Sequence, residues 1–182
     1  MRWRDPKLVV GTDEGRVHIW QYISPSFTLL GSWATKNDEV EDVDFIGNYI
    51  ILRSADGLQS KPINVHYFSG EKCYSIPCPV ETYCMALHEN HLITGDDEGT
   101  LQVWDIHTGS CLTELKGEKD CIHSVDGRNG VIASHDDQGR TIIWSTQAEA
   151  ALAGKQFCPQ NAVHHRTGFA IIRLRAVPGM PK

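Results

Sequence analysis

The sequence predicts an all-β protein assembled from about four copies of one unit, each copy a four-stranded antiparallel sheet. Three ungapped segments carry the repeat: Leu8-Val-Val-Gly-Thr-Asp-Glu-Gly-Arg-Val-His-Ile-Trp20, Leu92-Ile-Thr-Gly-Asp-Asp-Glu-Gly-Thr-Leu-Gln-Val-Trp104 and Ile132-Ala-Ser-His-Asp-Asp-Gln-Gly-Arg-Thr-Ile-Ile-Trp144. In each, an Asp (Asp13, Asp97, Asp137) stands seven residues before the Trp. A weaker copy without Trp runs from Tyr49 through Asp56-Gly57 to Val65-His66-Tyr67, and the four Asp positions are then 43, 41 and 40 residues apart. Between the Asp/Glu/Gly turns lie short apolar, β-branched and aromatic runs with no 3.6-residue period, which is the pattern of strands.

The elements follow in chain order. An opening strand is read ahead of the last three units from matching apolar spacing: Val40, Val43 and Phe45; Thr82, Met85 and Leu87; Ile122 and Val125. The first unit is expected to lack this strand. The second and third strands are the two arms of each repeated segment. They are joined at Gly15, Gly57, Gly99 and Gly139, because a tight hairpin needs a residue that accepts positive φ without a Cβ clash. A fourth strand is read from Phe27 to Trp33, Cys73 to Ile76 and Cys111 to Lys116. The units so delimited are 7–34, 39–77, 81–117 and 121–146, within a repeat body of residues 1–146. An atypical tail, 147–182, opens on the helix-favouring Gln147-Ala-Glu-Ala-Ala-Leu-Ala-Gly154 and contains one strand-like run, 169–177.

Four antiparallel strands in about 40 residues, with Trp near the end of the third, resemble the WD-repeat β-propeller family. The closest copy is the third unit, where Val103-Trp104-Asp105 carries the Trp-Asp pair and Ile106-His-Thr-Gly109 follows as a hairpin. The resemblance covers about residues 7–146 and departs from the family pattern at several points. Gln21 and Ser145 replace the Asp after Trp20 and Trp144, no Gly-His dipeptide occurs, and Glu14, Glu98 and Gln138 stand where the family's turn Asp is common. The resemblance implies structural roles for Trp20, Trp104 and Trp144, and a partial hydrogen-bond network in which Thr94 serves Trp104 and Ser134 serves Trp144.

A propeller needs roughly four to eight sheets, and a ring hides its edges only if its last sheet meets its first. Three accounts of the partial ring are open: closure of four units with 169–177 completing one, two chains forming a ring of eight, or a piece of a longer protein.

Composition bounds the function. Hydrophobic residues at 41% and charged residues at 22% are globular proportions. No apolar run approaches the roughly 20 residues of a membrane helix, and Asp5, Asp13 and Glu14 fall where a signal peptide would be apolar. The expected setting is soluble and intracellular, cytoplasmic or nuclear. The net charge of −6 argues against a generally basic, nucleic-acid-binding surface, but it is unevenly spread. Residues 1–154 carry 12 basic and 23 acidic side chains, or −11, whereas 155–182 carry five basic residues (Lys155, Arg166, Arg173, Arg175, Lys182) and no acid. Binding of nucleic acid through that tail is a minor alternative. The six cysteines form no C-x-x-C pair and four lie in strand-like runs, so free thiols are expected rather than a disulfide framework or zinc site.

No catalytic, nucleotide-binding or metal motif occurs, and no enzyme, cofactor or metal is expected. His88-x-x-His91 and His164-His165 have no third ligand at a metal-binding spacing. The pairs Asp96-Asp97 and Asp136-Asp137 sit beside a turn Gly, where Asp caps backbone N–H groups. By resemblance, the turns between second and third strands and the entries to first strands open on the face that receives partner peptides. Glu41, Tyr83 and His123 occupy matched positions there and differ from one another. Asp13, Asp56, Asp96, Asp97, Asp136 and Asp137 are expected to make that rim acidic and suited to Lys/Arg-rich segments. The function implied is a non-catalytic protein-interaction scaffold. The alternatives are a substrate-recruiting adapter of a ubiquitin ligase or, against the apolar inner strands, an enzyme with its site in the propeller channel.

Overall fold

The computed structural model describes residues 1–35, 39–55, 62–78, 81–116, 120–128, 131–145 and 158–159. Asp56, Gly57, the helix-favouring 147–154 and the strand-like 169–177 lie outside them. The described chain forms four four-stranded sheets, each antiparallel and each in simple chain order. The first contains β1 (Arg2–Arg4), β2 (Lys7–Gly11), β3 (Arg16–Ile23) and β4 (Ser26–Ala34); the second β5 (Glu39–Ile46), β6 (Tyr49–Ala55), β7 (Ile63–Tyr67) and β8 (Lys72–Ile76). The third contains β9 (Thr82–His88), β10 (His91–Asp96), β11 (Thr100–Asp105) and β12 (Cys111–Lys116); the fourth β13 (Ile122–Arg128), β14 (Val131–Asp136), β15 (Thr141–Ser145) and β16 (Cys158–Pro159).

The first sheet corrects the expectation that it lacks an opening strand. Arg2, Trp3 and Arg4 pair with Val9, Leu8 and Lys7. Two arginines around one Trp leave no apolar alternation to read, so pairing with β2 defines this strand rather than its own residues. In the fourth sheet the outer position is held by Cys158–Pro159, paired with Ser145 and Trp144.

Register makes the repeat a packing rule. Leu8 pairs with Trp20, Ile50 with His66, Leu92 with Trp104 and Ile132 with Trp144, so the four pairs are equivalent. Side chains alternate across a strand, and each sheet therefore has two apolar faces. The face bearing the Trp position looks toward the preceding sheet and is called leading here; the other, trailing, looks toward the next. Trp104 and Leu92 pack with Ile51, Ile63 and Val65 of the second sheet, and Trp144 and Ile132 pack with Ile93, Leu101 and Val103 of the third. Val9, Val17 and Ile19 of the first sheet meet Ile50 and Leu52 of the second. Burial on both faces explains continuous apolar runs such as Ile50-Ile51-Leu52, which show no clean alternation.

The opening strands β1, β5, β9 and β13 run side by side at the hub. Asp44 on β5 links three sheets there. Its buried carboxylate accepts from the Arg4 guanidinium at 3.1 Å, from its neighbour's Phe45 N–H at 2.8 Å and from Leu87 N–H at 3.4 Å. Adjacent sheets approach so closely that Gly95 has no room for a Cβ, which would stand 2.8 Å from both Cys84 Sγ and an Ile122 methyl. Among the described residues the fourth sheet has no comparable packing against the first, and the ring is open.

Candidate protein-interaction surface

The second-to-third-strand turns are built by the same backbone device. Gly15, Gly99 and Gly139 have φ of 71°, 78° and 78°, the left-handed region that costs glycine little. The residue three positions before each of them accepts the turn's backbone donors. Asp96 Oδ1 takes the N–H of Glu98 at 3.1 Å and of Thr100 at 2.8 Å, and Asp136 Oδ1 takes Gln138 N–H at 3.1 Å and Arg140 N–H at 2.8 Å. Thr12 Oγ1 plays this part for Arg16 N–H at 3.1 Å. The Arg140 guanidinium also donates to Asp136 Oδ2 at 2.6 Å and is ion-paired with Asp120. Asp96 and Asp136 are therefore buried turn caps, at 5% and 1% exposure. Burial, the largest influence, pushes the Asp96 carboxyl above its ordinary value against these N–H bonds. Asp13, Asp97 and Asp137, one residue later, point into solvent.

Glu41, Tyr83 and His123 share a conformation that spacing does not reveal. Each is the extra residue of a β-bulge at the start of an opening strand: pairing jumps from Val40 to Asp42, from Thr82 to Cys84 and from Ile122 to Ser124. A bulged residue leaves the ladder and its side chain is re-aimed. All three are exposed, Tyr83 at 38%. The bulges are pinned by hydrogen bonds from the adjoining turns, Asp97 N–H to Glu81 O at 3.2 Å and Asp137 N–H to Cys121 O at 3.1 Å.

The three bulges form one connected line across three sheets. Tyr83 and His123 meet edge to face, ring centroids 5.9 Å apart at 82°. Glu41 is ion-paired with Arg53, whose guanidinium also donates to Thr82 O of the next sheet at 3.2 Å. Arg53 is the participant the sequence reading missed. Its signal is an Arg where the equivalent positions are Gly11 and Gly95. The line is set in negative charge: Glu81 foremost, then burial, with Asp97 adding, raises the Tyr83 hydroxyl above its usual value. Burial and then Asp137, Asp97, Asp96 and Glu81 push the Cys121 thiol up to about 11. Asp42, behind Glu41, is raised chiefly by burial, opposed by Arg2 and Arg53.

The Trp positions are unequal. Trp104 Nε1 donates to Thr94 Oγ1 at 3.0 Å and Trp144 Nε1 to Ser134 Oγ at 3.1 Å, both buried. In the first sheet the hydroxyl position is Val10, and Trp20 is half-buried. In the second, His66 takes the Trp place opposite Ile50 and stacks on Trp33 at 4.8 Å, with Nδ1 3.1 Å from Gly70 O. Cys73, Cys78, Cys84, Cys111 and Cys121 are free thiols. Among the described residues no group of three His, Cys, Asp or Glu is arranged to hold a metal, and no helix is long and apolar enough to cross a membrane.

No family model matches the chain. The chain aligns with the WD repeat-containing protein 55 homolog of Dictyostelium discoideum at 27% identity over 144 residues, covering 74% of this chain and 34% of that protein. Against the homolog of Drosophila erecta it is 28% identical over 121 residues, 63% of this chain and 24% of that protein. Its fold superposes on the WD40 β-propeller domain of Doa1 with a TM-score of 0.65 at 20% identity, covering 87% of this chain and 52% of that one. In sequence the chain is similar to WD-repeat proteins, and its fold is that of a WD40 β-propeller. Its third blade carries the Trp-Asp pair of the name, and the other blades keep the frame with Gln21, Tyr67 and Ser145 after the Trp position. The chain spans about a quarter to a third of the length of these curated relatives.

Proposed function

We propose that this WD-repeat chain is a non-catalytic scaffold that holds a Lys/Arg-rich segment of another protein along the line Glu41–Tyr83–His123. The observation that carries the reading is the bulge at the same place in three consecutive blades, presenting three unlike side chains on a repeated frame. A repeated frame secures position, and variation at one point of it supplies specificity. Tyr83 is a half-exposed amphipathic ring of the type enriched in binding hot spots. Glu81 and Asp97 beside it, with Asp137 and Asp13 on the turns of the fourth and first sheets, give an acidic rim that speeds encounter with cationic partners and rejects acidic ones. Asp96 and Asp136 contribute charge to this rim rather than contacts, because their oxygens are engaged by the turns. Asp56 belongs to the same proposal by its repeat position. The free thiols suit an intracellular setting.

Fluorescence anisotropy with labelled Lys/Arg-rich and Asp/Glu-rich peptides tests the reading. Binding of the basic peptide alone, weakening with salt, is expected. Tyr83→Ala should weaken it about tenfold or more, roughly 1.4 kcal/mol, and Asp97→Asn with Asp137→Asn should lower the association rate. Equal binding of both peptides, or indifference to Tyr83→Ala in a folded protein, would overturn it.

A further inference from the structure

Two of the seams between sheets set a glycine against the residue that precedes the next sheet's bulge. Gly95 abuts Ile122, where a Cβ would stand 2.8 Å from a methyl, and at Gly11 a Cβ would collide with a methyl of Val40. The seam between the second and third sheets departs from this pattern at both partners. Arg53 stands in the place of the glycine, paired with Asp42 as Gly95 is with Cys84, and Thr82 stands in the place of Val40 and Ile122. The Arg53 side chain fills the seam at 15% exposure. Its Nη1 donates across the seam to Thr82 O at 3.2 Å and, within its own sheet, to the bulged Glu41. Its Nε is enclosed with no hydrogen-bond partner among the described residues. An enclosed guanidinium with an unpaired donor is a poor stabiliser beside a glycine that closes its seam by direct packing. What Arg53 adds at this place is a positive charge fixed against Glu41.

We infer that Arg53 determines specificity on the partner surface: it withholds the Glu41 carboxylate from incoming cations, so the Lys or Arg side chains of a partner seat at the Tyr83–His123 end of the line. The inference rests on the reading of that line as a surface for Lys/Arg-rich segments. An ordinary surface ion pair joins two mobile side chains and holds them weakly. Here the guanidinium is anchored a second time, on a backbone carbonyl of the next sheet, and cannot follow Glu41 into solvent. The Glu41 side chain is 34% exposed, so a cation can approach it, but that cation meets a fixed like charge beside the carboxylate. Like charges set together disfavour the contact. At the other end the charges acting on Tyr83 are those of Glu81 and Asp97, and Arg140 of the fourth sheet's turn is engaged by Asp136 and Asp120. The Tyr83 bulge is pinned independently of Arg53, by Asp97 N–H to Glu81 O at 3.2 Å, so the ring keeps its place when the guanidinium is removed.

Fluorescence anisotropy of a labelled Lys/Arg-rich peptide with the full chain is the test. The variants are Arg53→Met, which keeps the apolar stem and removes the charge, and Arg53→Met combined with Glu41→Gln. Each is checked for β-sheet content by circular dichroism, and Arg53→Gln replaces Arg53→Met if the latter does not fold. Arg53→Met should bind the peptide about threefold or more tighter, the worth of one exposed ion pair, and adding Glu41→Gln should remove the gain. Loss of a residue that only held the seam together would weaken binding instead. Carboxylate labelling with a carbodiimide and glycine ethyl ester, read by mass spectrometry without peptide, is a second measure. Glu41 should react faster, relative to Asp137, in Arg53→Met than in the wild type. Equal or weaker peptide binding by a folded Arg53→Met chain overturns the inference, as does an unchanged labelling ratio. A rise in that ratio with no peptide bound by either chain would refute the Lys/Arg-rich reading of the surface and leave the hold of Arg53 on Glu41 standing.

Discussion

Trp20, Trp104 and Trp144 occupy one repeat position in three environments, so truncating each to Ala measures what the blade stack adds to a fixed side chain. Trp104 is buried between the second and third sheets against Leu92, Ile51 and Val65, with its indole N–H bonded to Thr94. Removing about 200 Å² of buried apolar surface at about 25 cal/mol per Å² costs roughly 5 kcal/mol as an upper figure. Core aromatic truncations cluster at about 3–5 kcal/mol, and orphaning the Thr94 hydroxyl adds to that loss. The same substitution at Trp144 should fall in this range, since it is 1% exposed and bonded to Ser134. Trp20 faces no neighbouring sheet among the described residues, where Trp104 faces one, and Val10 stands in place of the hydroxyl. Halving the buried area and omitting the hydrogen bond gives about 1–2 kcal/mol for Trp20→Ala. Urea unfolding followed by circular dichroism reads the differences in midpoint. Equal losses at Trp20 and Trp104 would refute the claim that inter-sheet burial, rather than membership in the repeat, sets the energetics. Thr94→Val in the same assay should cost about 1 kcal/mol.

Three further outcomes follow from single side chains. Burial, the main influence, holds the His66 imidazole below its ordinary value, opposed by the Gly70 carbonyl and assisted by Lys72. Below about pH 6.5 the unfolded chain binds the proton more readily than the folded one. Stability contributed by neutral His66 is therefore complete above that pH and is lost as pH falls through the lower folded value; His66→Phe should flatten this part of a pH–melting curve. Among the described residues the buried Tyr74 hydroxyl has no hydrogen-bond partner, and burial pushes it up to about 12. Tyr74→Phe is accordingly expected to raise stability by about 1 kcal/mol in urea unfolding, and a loss would show that the hydroxyl is satisfied in solution. Asp136→Ala strips the cap from two backbone N–H groups and a partner from Arg140, at about 2–3 kcal/mol, whereas Asp137→Ala on the exposed side of the same turn should stay within about 0.5 kcal/mol.

The repeat itself was legible because hairpins leave local marks. A turn Gly at positive φ, an Asp beside it and a Trp at a fixed distance are all dictated within one segment, and they predict the four sheets and most of their strands. Turn capping was legible for the same reason, though the capping acids are Asp96 and Asp136 and not the Asp residues seven before each Trp. The opening strand at Arg2–Arg4 was not legible, since three residues carry too little pattern and only pairing with Lys7–Val9 makes them a strand. Glu41, Tyr83 and His123 could be singled out by matched position, but their bulges could not. A bulge is a count of two residues against one on a neighbouring strand, and that count exists only once β5, β9 and β13 are in register with β6, β10 and β14. Arg53 reaching Thr82 of the next sheet, and Asp44 gathering Arg4 and Leu87, join residues 29 to 43 positions apart.

By itself, then, the sequence determined that this chain is a succession of about four hairpin-built blades of about forty residues. Local backbone chemistry and strand alternation are written in adjacent residues. The tertiary structure decided which of two apolar faces each blade spends on its neighbour, and which acid of each pair is buried. Those outcomes depend on burial, and burial is a property of what packs against a residue rather than of the residue or its neighbours in the chain.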